Sequence, residues 1–196
     1  MIDDCFSHDS YLIRQKFWKF LGAAFHIYDP QGNLAFYSKQ KAFKLREDIR
    51  LYSDESMQTE ILTIQARNII DFSASYDVMD PITGEKVGAL RRKGLRSLMR
   101  DQWHVLDPND EPICIIEEDS LFKALVRRMV DFASIFMPQR YTGKVGERVV
   151  CQFRQNFNPF IKKISLDFSA DHDDLLDRRL GVAAAVLLCA IEGRQG

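Results

Sequence analysis

The sequence predicts a single, mainly β domain that meanders through hairpins in one sheet or barrel and buries an apolar helix at its C-terminal end. Two patterns predict it. An alternating strand running into Asp-Pro occurs three times, at Phe25–Pro30, Tyr76–Pro81 and Trp103–Pro108. A twelve-residue run from Leu180 to Ile191 contains only apolar residues and Gly. Hydrophobic residues make up 46% of the 196 residues, enough to fill the core of one large domain.

The first strand is expected over Leu12 to Phe17. Each Asp-Pro then opens a turn, because Asp accepts a hydrogen bond from the backbone ahead of it and Pro presets φ at the next position. Turn formers follow at Gln31-Gly32-Asn33, Ile82-Thr83-Gly84 and Asn109-Asp110. A second strand begins after each turn, over Leu34 to Ser38, Val87 to Arg91 and Ile113 to Glu117, so the three copies read as β-hairpins. Their spacing is irregular, which excludes a solenoid. Strands over Lys44 to Leu51 and Glu60 to Ala66 flank the turn-like Ser53-Asp54-Glu55-Ser56.

At Ser120 the apolar period changes from two to that of a helix. Phe122, Leu125, Val126 and Met129 share one face, which predicts an amphipathic helix over about 120–136, capped by Ser120 and stopped by Pro138. Strand-like text returns at Arg148 to Phe153 and Phe160 to Phe168, with a turn at Asn156 to Pro159. Gly143 to Glu147 has glycines without the strand–helix context of a phosphate loop and reads as a hairpin turn.

The last element is expected from about Leu175 to Ile191, with Asp171, Asp173 and Asp174 at its positive end. A helix apolar on every side must be surrounded. Twelve residues span roughly 18 Å, short of the roughly 30 Å hydrocarbon core, so the expected surroundings are protein and no transmembrane span is expected.

These motifs resemble a known group. The Asp-Pro hairpins, the Val87-Gly88-Ala89-Leu90-Arg91-Arg92 strand, Trp103-His104-Val105-Leu106-Asp107 and the closing Leu176-Asp177-Arg178-Arg179-Leu180 resemble the Tubby C-terminal-like superfamily. That superfamily includes the LURP-one-related proteins and the phospholipid scramblases, and the resemblance is nearest to small bacterial LURP-one-related proteins. It covers about Leu12 to Glu192. It implies a closed barrel of about twelve antiparallel strands around the C-terminal helix, as one domain over 12–193 after an N-terminal extension at 1–11. It implies no family-wide catalytic residues. The Cys-rich segment and Pro-rich leader of eukaryotic scramblases are not in this sequence, so scrambling is not expected.

Charge and cysteine usage narrow the function classes. A formal net charge of -1 gives no general attraction to nucleic acid, and none is expected as a partner. Cys5, Cys114, Cys151 and Cys189 have neither zinc-ligand nor disulfide-scaffold spacing, and Cys114, Cys151 and Cys189, each among apolar residues, are expected as small core residues in a reducing compartment. The acidic start at Asp3 and Asp4 is unlike an export signal, so the expected location is the cytoplasm, with attachment at the membrane periphery allowed. No cofactor is expected, and no motif for a phosphate loop, a zinc protease or a nucleophile elbow is present.

The strongest local feature is Arg91-Arg92-Lys93-Gly94-Leu95-Arg96-Ser97-Leu98-Met99-Arg100, five cations with no acid between two strands. Arg91, Arg92, Lys93, Arg96 and Arg100 form the candidate anion or lipid site, by bidentate Arg contacts to phosphate or by resting on an anionic membrane with Leu95, Leu98 and Met99. A merely solvated basic loop is the competing reading. His26 and His104 occupy equivalent hairpin positions and are expected to be unrelated and solvent-facing, rather than a ligand or acid–base pair. Asp171-His172-Asp173-Asp174 lacks the Gly and later Glu of a calcium loop and is expected to cap the helix, not to hold metal. Two functions stand against each other: a non-enzymatic module contacting anionic phospholipid or a protein, and an enzyme or small-ligand carrier with a pocket at a barrel mouth. A barrel packed solid around the helix would remove the second.

Overall fold

The computed structural model describes residues 3–18, 22–40, 48–67, 75–92, 102–119, 139–156 and 161–191. Twelve strands close into one antiparallel barrel in which every strand pairs with its neighbours in sequence and β1 pairs with β12. They are β1 (Ser10–Trp18), β2 (Gly22–Tyr28), β3 (Leu34–Gln40), β4 (Asp48–Tyr52), β5 (Glu60–Ala66), β6 (Ser75–Met79), β7 (Lys86–Arg92), β8 (Gln102–Leu106), β9 (Pro112–Glu118), β10 (Arg140–Val145), β11 (Arg148–Asn156) and β12 (Ile161–Asp167). Helix α1 (Arg178–Ile191) runs through the barrel. Closure removes the exposed strand edges that would otherwise template aggregation.

The alternation in the sequence decides which side faces in. Ile13, Phe25, Ile27, Phe36 and Leu166 are buried in one core with α1, while Arg14, Arg50, Asp77 and Arg154 fall on the other phase. The outer wall is therefore polar, the reverse of the apolar band a lipid-spanning barrel presents. Leu180 and every residue from Val182 to Ala190 are at most 7% exposed, and Gly181 between them is buried. At roughly 25 cal/mol per Å² of apolar surface, each buried Leu or Val there contributes about 1.5–3 kcal/mol. No helix among the described residues is long and apolar enough to cross a membrane.

All three Asp-Pro hairpins form, as β2–β3, β6–β7 and β8–β9. In each, the Asp side chain accepts from the turn backbone: Asn33 N–H to Asp29 at 2.7 Å, Ile82 N–H to Asp80 at 2.9 Å and Asn109 N–H to Asp107 at 2.8 Å. Gly32 and Gly84 take positive φ, as these turns require.

Three expectations are corrected. α1 begins at Arg178, not Leu175, because Asp174 sits at φ +50 and the chain turns before the helix. Asp177 is the cap, accepting from the Arg179 N–H at 2.9 Å. Gly143 lies inside β10 rather than in a turn, which is confined to Gly146 and Glu147. Its missing side chain makes room for two thiols, since a Cβ there would lie 2.4 Å from Cys151 Sγ and 3.5 Å from Cys114 Sγ. The amphipathic helix expected at 120–136 lies outside the described residues. Before β1, Asp3–Phe6 forms a 3-10 turn that lays Phe6 on Phe36, ring centroids 4.6 Å apart.

Candidate functional site

Antiparallel topology sorts the connections into two ends, and the two ends differ in charge. The turns 29–33, 53–59, 80–85, 107–111 and 146–147, with the approach to α1 at 168–177, all lie where the helix enters. These segments contain thirteen Asp and Glu and no Lys or Arg. The other connections, 19–21, 41–47, 68–74, 93–101, 120–138 and 157–160, join strand ends at the opposite mouth and lie outside the described residues. Their sequence holds ten Lys and Arg against four acids. A net charge of -1 thus hides a difference between the connections of the two ends, with Lys86, Arg148, Arg178 and Arg179 at the adjoining strand and helix ends pairing with several of these acids. It complements α1, whose positive N-terminal end enters among the acids.

The acidic end is tied down by ion pairs that seat the helix. The Asp171 carboxylate, 4% exposed, accepts from Leu175 N–H at 2.9 Å, Leu176 N–H at 3.1 Å and Arg178 at 3.3 Å. The Arg178 guanidinium lies 4.5 Å from the centre of the Phe168 ring and also pairs with Asp174. Arg179 holds Asp177 at 2.7 Å and reaches Asp80 of the β6–β7 turn at 3.3 Å. On the outer wall nearby, Arg67 and Lys86 converge on Asp77 and Asp110. Hydrogen bonds from Arg67 and then Lys86 hold the Asp110 carboxyl far below the usual carboxylate range. Asp171 thus ties the approach turn to Arg178 and does not cap α1, a role that falls to Asp177.

Of the five cations singled out in the sequence, the described residues include two. Arg91 ends β7 on the outer face, exposed, its Nε 3.2 Å from Ser75 Oγ. Arg92 is half-buried at the rim, its guanidinium 6.0 Å from the Trp103 ring centre. Both stand at the mouth opposite the acidic turns. Lys93, Arg96 and Arg100 lie outside the described residues.

His26 and His104 do not face each other. β2 and β8 are six strands apart in a twelve-strand barrel, on opposite walls. Nor is His26 solvent-facing: it is 8% exposed, with Nε2 3.1 Å from Glu55 and its ring edge-on to Tyr37 at 5.1 Å. Inside the barrel, Cys114 and Cys151 meet over Gly143. Contact with the Cys114 thiol, then burial, pushes the Cys151 thiol well above its ordinary range, so it stays protonated and inert. The four cysteines are all unbridged.

The interior offers α1 no slack. A Cβ on Gly181 would lie 2.3 Å from the Phe168 ring, and one on Gly88 would lie 2.3 Å from the Leu106 carbonyl and 3.1 Å from Leu180. At these two positions the barrel closes tightly on α1.

Comparison with known proteins agrees with this architecture. The sequence model of a family described as LURP-one-related matches residues 34–189. Among solved structures, a protein of Arabidopsis thaliana superposes with a TM-score of 0.54 at 15% identity, over 98% of both chains. At that identity the likeness concerns the fold alone. No curated protein matches the chain.

Proposed function

The chain belongs to the LURP-one-related family, and from that premise we propose that it is a non-enzymatic binding module which docks its basic mouth on an anionic lipid surface. The axial charge separation carries this reading. A molecule with thirteen carboxylates in the turns of one end and a cationic excess in the connections of the other orients itself in the field of an anionic surface before contact. Arg91 and Arg92 stand on the rim that would meet the headgroups. The connections at that mouth also carry Phe20, Phe43, Leu45, Leu95, Leu98 and Met99, apolar residues interleaved with the cations as interfacial segments require. The reading puts the protein at the cytoplasmic periphery of a membrane. The packed barrel weighs against a ligand carried inside.

Sedimentation with vesicles of neutral phosphatidylcholine, alone or mixed with phosphatidylserine, tests it. The expected result is binding only to the mixed vesicles, falling as salt rises through the screening range. Equal binding to both vesicle types, or none to either, overturns the lipid reading and leaves a protein as the partner of the basic mouth.

A further inference from the structure

Opposite charges share one groove of the outer wall without meeting. The groove, of about 540 Å3, is floored by β12, β1 and β2 and walled on one side by the β2–β3 turn at Asp29, Pro30, Gln31 and Gly32. It lies toward the acidic end of the barrel, away from Arg91 and Arg92. One cation, Arg14, and two carboxylates, Asp29 and Asp167, line it. Among the described residues Arg14 has no ion pair with either. Its guanidinium is instead laid 5.0 Å from the centre of the Tyr28 ring, and its Nε is buried without a hydrogen-bond partner. A buried charged donor left without an acceptor is costly, so this one calls for an acceptor from outside the chain.

The two carboxylates differ in what they still offer. Asp29 is occupied by its own turn, accepting from the Asn33 N–H at 2.7 Å and Asn33 Nδ2 at 2.9 Å. Asp167 is exposed and uses Oδ1 on the Ser169 N–H at 2.8 Å, while its Oδ2 takes no hydrogen bond among the described residues. Strand register gives the distance between the open donor and the open acceptor. Asp167 stands opposite Ser10, and Tyr28 opposite Leu12, two residues further along β1. With Arg14 folded over Tyr28, the two charges lie two residues apart along the strands, roughly 7 Å. Two extended residues of peptide have the same length. Between the charges, half-buried Leu12 gives an apolar floor and exposed Pro30 an apolar rim, with the hydroxyls of Ser10 and Ser165 alongside.

We propose that the groove binds a short zwitterionic peptide of dipeptide size, its carboxylate on Arg14, its ammonium on Asp167 and its side chains on Leu12 and Pro30. A lining of one cation and two carboxylates suits a ligand that carries its own positive charge and disfavours a purely anionic one. The volume is that of a small-molecule site. The groove shares no residue with the basic mouth, so this reading and the lipid reading can fail separately.

Calorimetric titration of the full chain with dipeptides of alanine and leucine tests it, against their N-acetylated and C-amidated forms and against free leucine. Arg14→Gln and Asp167→Asn are the variants. The second sits at an exposed position and keeps a carbonyl oxygen for the Ser169 N–H, so the fold is not at stake. The expected result is dipeptide binding that weakens at least about tenfold on capping either end, in either variant, and on shortening to the single amino acid. Either end capped without loss, binding that Asp167→Asn leaves unchanged, or no binding of any of these dipeptides at millimolar concentration overturns the proposal.

Discussion

Gly181 of α1 and Phe168, just beyond β12, fit so closely that a single added methyl carbon at Gly181 would lie 2.3 Å from the phenyl ring. The ring cannot swing away, because it is fully buried with the Arg178 guanidinium 4.5 Å from its centre and Tyr11 edge-on at 6.3 Å. Gly181→Ala is therefore expected to destabilise the protein by about 1–3 kcal/mol despite the better helix propensity of Ala. Gly88→Ala should cost at least as much, because its neighbour is the Leu106 carbonyl oxygen, part of a strand. Urea midpoints at constant slope measure both.

Asp171 is the buried anion that joins the approach turn to the helix. Removing it leaves two N–H groups and part of Arg178 without their acceptor. Asp171→Ala is expected to cost about 3 kcal/mol. Asp173→Ala, which removes only an exposed pair with Arg148, should cost under about 1 kcal/mol. Equal effects in denaturant melts would show that Asp171 is no more than a surface acid.

Tyr11 supplies a pH-dependent test. Burial pushes its hydroxyl up to about 12, against the lowering effects of the His8 N–H and Arg178. In the fold the hydroxyl donates to the Cys5 carbonyl at 2.8 Å. A folded pKa above the unfolded value means that this stability is fully present below pH 10 and is lost as pH rises toward 12. The decline attributable to Tyr11 is about 1.4 kcal/mol per pH unit in that window. Tyr11→Phe should be less stable at neutral pH and show a flatter alkaline decline in thermal melts.

The basic rim gives a prediction on binding. Arg91→Ala with Arg92→Ala is expected to weaken association with phosphatidylserine vesicles by about ten- to thirtyfold at low salt, at about 1 kcal/mol per cation. The double variant should leave the urea midpoint within about 1 kcal/mol, since Arg91 is exposed and Arg92 is half-buried at the rim. Arg50→Ala, on the barrel wall and paired with Asp48 and Glu60, should leave vesicle binding unchanged.

The parts of the fold legible in sequence are those encoded locally. Asp29, Asp80 and Asp107 announce their turns because each side chain bonds the backbone two to four residues ahead. The run from Leu180 to Ile191 announces burial because no face of it tolerates water. The helix start was less legible, since four acids in seven residues all have capping chemistry and only the turn geometry at Asp174 selects Asp177. Gly143 looked like a turn because its role, admitting Cys114 and Cys151 from flanking strands, is set by residues far along the chain.

The central claim is that α1 is wrapped by the strands of its own barrel, and native-state hydrogen exchange reads this directly. Amides from Val182 to Ala190 are expected to exchange only through global opening, with the same free energy as the urea transition and no dependence on protein concentration. Exchange of these amides at the rate of a surface helix, or protection that vanishes on dilution, would contradict it.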